Sequence, residues 1–154
     1  MAAFVIIVFL GNLSGGIWAK HVYRDDNETL LVELKRRAGP GDLVLLRDNR
    51  QWKVVSYYAP EITAVGVTLK EGDEVPAAVE SLASAAERAK EMLLKGQAVF
   101  LSSEILEPDQ GVEDLLELPD GMTVSIREAF DYADSFQRTH SRTIFAVRSE
   151  GEFR

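Results

Sequence analysis

Two arginines three positions apart, in Arg47-Asp48-Asn49-Arg50, form the first group in this chain whose chemistry points to a ligand. A pair of guanidinium groups can hold a phosphate or carboxylate through bidentate hydrogen bonds. The group follows Leu43-Val44-Leu45-Leu46, an apolar run that reads as a buried strand. In open α/β sheets ligands bind beyond the carboxyl ends of the strands, which is where this group stands. Ser102 and Ser103, with Glu104 after them, take the corresponding position beyond the apolar run Ala98 to Leu101. The expected ligand is a small anion such as a nucleotide or sugar phosphate. The competing reading is a solvated loop. Neither serine has a histidine near it in sequence, so a Ser-His-Asp triad is not supported.

Other groups carry less chemistry. Gly11-Asn12-Leu13-Ser14-Gly15-Gly16 matches neither the dinucleotide fingerprint nor the Walker spacing, and reads as a turn. The stretch from Glu104 to Asp120 is acidic and holds no basic residue. Its carboxylates lack the close alternating spacing of a calcium loop. Leu115, Leu116 and Leu118 instead predict a helical turn around Val112 to Leu118 with a solvated acidic face. The chain has two histidines, His21 and His140, too few for a histidine-rich metal site. His140, between Arg138 and Arg142, reads as an exposed residue before the last strand. There is no cysteine, which excludes disulfides, thiolate zinc sites and cysteine nucleophiles. No catalytic constellation is recognised, and no cofactor is expected. Trp52, Tyr57 and Tyr58, at helical spacing, read as core or interface anchors.

The elements that must position these residues follow from hydrophobic spacing. Leu30, Leu31, Leu34 and Ala38 fall on one face of a helix that opens near Asp25-Asp26-Asn27-Glu28. Gly39-Pro40-Gly41-Asp42 stops it. A short helix is predicted from Arg50 to Tyr58, a strand from Ile62 to Leu69 and a long helix from Ala77 to Lys95. Ser125-Ile126-Arg127-Glu128 has capping-box spacing, and Ile126, Ala129, Phe130, Ala133 and Phe136 continue it as a helical stripe. Thr143 to Val147 reads as the final strand. Alternating strands and helices predict a single α/β domain, a three-layer Rossmann-like fold with a mostly parallel sheet of four or five strands. The 154 residues and the 46% apolar content suit one such domain. A formal net charge of -8 argues against nucleic acid as a partner, since phosphate neutralisation needs clustered lysine and arginine.

Residues 1 to 19 carry no charged side chain. Phe4 to Leu10 can be a buried parallel strand, which would be the fifth. The whole stretch can equally be the end of a transmembrane helix, which needs about 20 apolar residues. A signal peptide fits less well, because no positive n-region precedes the apolar run. The chain is accordingly expected to be either membrane-associated or cytoplasmic.

The run from Arg24 through Gly39-Pro40-Gly41-Asp42-Leu43-Val44-Leu45-Leu46 to Tyr57-Tyr58-Ala59-Pro60 resembles the soluble tail of polytopic membrane glycosyltransferases of the dolichyl-phosphate-mannose mannosyltransferase type. In that family a last transmembrane helix precedes an arginine-initiated helix, a Pro-Gly-Asp turn, a strand and a Tyr-Tyr helix. The resemblance implies that residues 1 to 17 look like the end of that last span. It also implies that the catalytic loop and lipid-phosphate site belong to a membrane part upstream, so no catalytic residue carries over. Two functions follow. One is a noncatalytic module that binds an acceptor or a membrane-protein partner at a membrane surface. The other is a free-standing domain that binds a small anion near Arg47, Asp48, Asn49, Arg50, Ser102 and Ser103.

Overall fold

The computed structural model describes residues 27–47, 51–69, 79–107, 110–116, 118, 122–133 and 141–150. The expectations for residues 1 to 19, for Asp48, Asn49 and Arg50 and for His140 lie outside the described residues. Within them the chain is an α/β protein built on one six-stranded mixed sheet.

Helix α1 (27–37) opens the described chain. It is followed by strand β1 (Leu43–Arg47), helix α2 (Gln51–Tyr58), strand β2 (Thr63–Thr68), strand β3 (Val79–Ser81) and helix α3 (Leu82–Leu94). Then come strand β4 (Val99–Ser102), a 3₁₀ turn (Ser103–Ile105), helix α4 (Val112–Leu116) and strands β5 (Thr123–Ala133) and β6 (Ser141–Glu150). The strand order is β3-β2-β1-β4-β6-β5. The first four strands are mutually parallel, while β6 runs antiparallel to both β4 and β5. The expected mostly parallel sheet holds, but it has six strands rather than four or five, four parallel strands being extended by an antiparallel hairpin.

β1 is central because it is apolar at every buried position. Leu43 and Leu45 face a cluster with Ala85, Ala89 and Leu93 of α3 and with Leu115 and Leu116 of α4. Val44 and Leu46 face the opposite cluster, with Leu30 and Leu34 of α1 and with Trp52 and Val55 of α2. Two-sided burial is what produces an apolar run without alternation. Burying side chains of this size contributes about 1.5–3 kcal/mol each. The pair α1 and α2 therefore covers one face of the sheet, and the pair α3 and α4 the other.

The turn before β1 is set by three residues. Gly41 has φ 90, a left-handed conformation that favours glycine. Pro40 cannot continue a helix. The Asp42 carboxylate accepts from Gly39 N–H at 2.8 Å and from the buried Ala98 N–H at 2.9 Å.

Two expected helices differ. The helix predicted from Ala77 begins at Leu82, because Val79–Ser81 is an edge strand paired with β2. Val79 sits at helical spacing from Leu82, which is why the two elements read as one. Ser81 is the true N-cap, its Oγ accepting from Ser84 N–H at 3.3 Å. The helix predicted from Ser125 to Phe136 is overturned: Thr123–Ala133 is a strand. A bulge between Ile126 and Glu128 leaves Arg127 as an extra residue. Val124 consequently joins the α3/α4 cluster, whereas Phe130 and Tyr132 join the α1/α2 cluster. A single extra residue reverses the two-residue alternation, and the broken pattern imitates a helical stripe.

Candidate functional site

The carboxyl ends of β1 and β4 are adjacent, with Leu45 opposite Leu101. From β1 the chain passes to α2 on one face, and from β4 it passes through the 3₁₀ turn to α4 on the other. This is a topological switch point, where the strand-end loops diverge and open α/β sheets bind ligands.

The structure separates the sequence-predicted residues here. Arg47 ends β1 in register with Val67 and is exposed. Ser102 is fully buried. Its Oγ lies 3.3 Å from the Tyr132 hydroxyl and accepts from Glu104 N–H at 3.4 Å. The Ser103 Oγ accepts from Thr143 N–H at 3.2 Å, joining the 3₁₀ turn to β6. Both serines therefore fasten elements together. Arg47 does not share their hydrogen bonds.

Three further residues complete the cluster. Arg142 of β6 places Nη1 2.7 Å from a Glu104 carboxylate oxygen, with both side chains largely buried. The same nitrogen lies 3.5 Å from Gln51 Oε1, at the first residue of α2. Arg142 thus links the strand, the turn leading to one helix layer and the start of the other layer. The guanidinium fork is suited to such a junction because it donates in several directions within one plane. Tyr132 is 2% exposed. Burial pushes its phenol up, and the Glu104 charge acts in the same direction, while the Ser102 hydrogen bond and Arg142 oppose them. Sequence reasoning noted Glu104 but missed Tyr132, Arg142 and Gln51 as partners. Tyr132 reaches Ser102 only because β5 is a strand, so the mistaken helix concealed the contact.

These contacts are structural bonds between β4, β5, β6 and the 3₁₀ turn. Ser102 is enclosed, and its close hydroxyl partner is a neutral phenol rather than a base. Among the described residues no group of three or more histidines, aspartates and glutamates is arranged to hold a metal. No helix among them is long and apolar enough to cross a membrane.

Two aromatic expectations resolve differently. Trp52 is buried over β2, where a Cβ on Gly66 would lie 2.5 Å from its Nε1. Tyr57 and Tyr58 are 78% and 58% exposed, and their rings meet edge to face with centroids 4.9 Å apart. They stand at the far end of α2, toward the amino ends of the strands. The acidic segment behaves as expected at α4: Glu113 and Asp114 are exposed, while Val112, Leu115 and Leu116 are buried.

Compared with known proteins, the chain matches no family model, no curated protein and no solved structure at a significant level.

Proposed function

We infer that this chain is a noncatalytic Rossmann-like α/β module, akin to the soluble tail of a membrane glycosyltransferase, that binds an acceptor or partner at a membrane surface. The observation that carries this reading is the use of the strand-end polar groups. Ser102, Ser103, Tyr132, Glu104 and Arg142 join β4, β5, β6 and the 3₁₀ turn to one another. A strand edge bonded in this way is suited to presenting a fixed surface. Further support comes from the order of elements after Arg24: a helix, the Pro-Gly-Asp turn, a strand and a helix ending in Tyr57-Tyr58. The uncharged residues 1 to 19 precede that helix in the chain. Exposed tyrosines are favoured in interfaces because they offer large rigid area with a polar tip.

Expression of the full chain followed by fractionation tests this reading. Sedimentation with membranes and release only by detergent is the expected result. Recovery as a monodisperse protein without detergent would end it.

A second reading is favoured by the switch point itself. A free-standing domain would bind a nucleotide or sugar phosphate beside exposed Arg47. Thermal denaturation with a panel of such ligands tests it. Stabilisation that disappears in the Arg47→Ala, Arg50→Ala double variant is the result it requires. Equal stabilisation in the variant, or none in the parent chain, removes it.

A further inference from the structure

We propose that the outer edge of β5 is where two copies of this chain meet, their β5 strands running antiparallel about a two-fold axis at Ala129. The proposal stands apart from both functional readings above. β3 and β5 end the sheet. β3 has 3 residues, whereas β5 has 11 and runs roughly 35 Å, at about 3.4 Å per residue. Among the described residues no strand lies beyond it. An edge strand carries a row of outward backbone N–H and C=O groups, which template pairing with another chain. Short length, lysine and proline commonly guard such edges. β5 is long and holds neither lysine nor proline. Its guard is the bulge at Arg127, which twists the strand and confines pairing to a short stretch around Ala129.

The side chains select a second copy as the occupant. Across the hairpin Ile126 faces Val147, Ala129 faces Phe145 and Asp131 faces Thr143. Residues directly opposite share a face, so these three lie on the α3/α4 side of the sheet, with Val147 and Phe145. There Ile126 is 52% exposed, and Ala129 and Asp131 are exposed as well. Asp131 accepts from Thr143 Oγ1 at 2.6 Å, which fixes its carboxylate. Arg127 is exposed and comes no nearer than 3.9 Å to Glu150. Arg127 and Asp131 stand at equal distance along the strand on either side of Ala129. In an antiparallel pair about Ala129, each Arg127 therefore meets Asp131 of the other copy, and two ion pairs form. Ala129 meets itself, where Cβ atoms lie about 4.5–5.5 Å apart and a small side chain fits. An axis at Glu128 or at Asp131 would set a carboxylate against itself, which is destabilising. An axis at Phe130 pairs no opposite charges. An axis between Arg127 and Glu128 does pair them, but Glu128 is held by Arg37 of α1 on the other face. So short an interface makes the association reversible.

The chain has no cysteine, so one introduced thiol reports the axis. Full chains carrying Ala129→Cys or Thr123→Cys, both exposed positions of β5, would be oxidised with copper phenanthroline and separated by non-reducing electrophoresis. In the proposed pair the two 129 positions are within disulfide reach, while the two 123 positions stand roughly 40 Å apart. Ala129→Cys is expected to form a linked dimer several-fold faster than Thr123→Cys. Adding Asp131→Arg should lower it to the Thr123→Cys rate, and adding Arg127→Asp as well should restore it. Equal rates at 129 and 123 would mean that something other than a second copy covers this edge, and overturn the proposal. A preference for 129 that Asp131→Arg leaves unchanged, or that Arg127→Asp does not restore, overturns the axis at Ala129. Sedimentation equilibrium of the unaltered chain keeps the test independent of how the variants fold. Its mass should rise with concentration toward that of two chains, and a mass that stays at one chain overturns the proposal.

Discussion

The Asp42 carboxylate accepts a hydrogen bond from Ala98 N–H at 2.9 Å, tying the turn before β1 to the start of β4 across 56 positions of chain. Its other oxygen holds Gly39 N–H at 2.8 Å. A generic turn motif therefore acts here as a clamp between two neighbouring parallel strands. Asp42→Ala leaves the buried Ala98 N–H without its acceptor and is expected to cost about 1–3 kcal/mol, with Asp42→Asn retaining part of it. Urea denaturation followed by circular dichroism measures both. A loss near zero in Asp42→Ala would mean that the clamp contributes nothing.

Gly66 is required by Trp52. A Cβ at position 66 would lie 2.5 Å from the indole nitrogen and 2.6 Å from Cδ1. Gly66→Ala is expected to destabilise by about 1–3 kcal/mol through overpacking. Trp52→Phe should recover part of that loss when combined with it. A double-mutant cycle in thermal denaturation reads the coupling, and additive effects would show that the two residues do not press on one another.

Much of the fold was legible in the sequence where burial is two-sided or one-sided and regular. The Leu43 to Leu46 run announced β1 because every side chain is covered. Leu82, Ala86, Ala89 and Leu93 announced α3 because they repeat at helical spacing, although the alanine fully covered beside Ala89 is Ala85 rather than Ala86. β5 was not legible, because the bulge at Arg127 divides it into halves that bury opposite faces. β3 was hidden by its three-residue length and by Val79 falling in phase with the helix after it. Of the candidate site, the strand edge was legible from the order of elements. The bonding of Ser102 to Tyr132 and of Glu104 to Arg142 was not, since both partners come from the hairpin β5–β6.

The bulge can be tested directly. Deleting Arg127 restores strict alternation and drives Val124 from the α3/α4 cluster toward the opposite face. The variant is expected to lose several kcal/mol of stability, or to lose hydrogen-exchange protection in β5 ahead of Phe130 while keeping it in β1. Full protection of both halves of β5 in the deletion variant would contradict the parity argument.

Tyr132 gives a pH dependence with a definite sign. Its folded-state phenol is raised by burial, above the unfolded value of about 10. Its contribution to stability is therefore complete below that value and is lost as pH rises through the folded one. Ultraviolet titration should show Tyr132 ionising only with alkaline unfolding. Tyr132→Phe should flatten the alkaline loss of stability while costing about 0.5–1.5 kcal/mol at neutral pH for its bond to Ser102. An unchanged alkaline profile in Tyr132→Phe would assign that slope to another group.

Vesicle flotation of the full chain tests the membrane reading most directly. Mixed with phosphatidylcholine vesicles and spun through a density gradient, the chain is predicted to rise with the lipid. It should stay there from low salt to about 1 M salt, because apolar insertion is not screened as surface charge is. A chain that remains in the dense fraction at every salt concentration, folded and monodisperse, would contradict it.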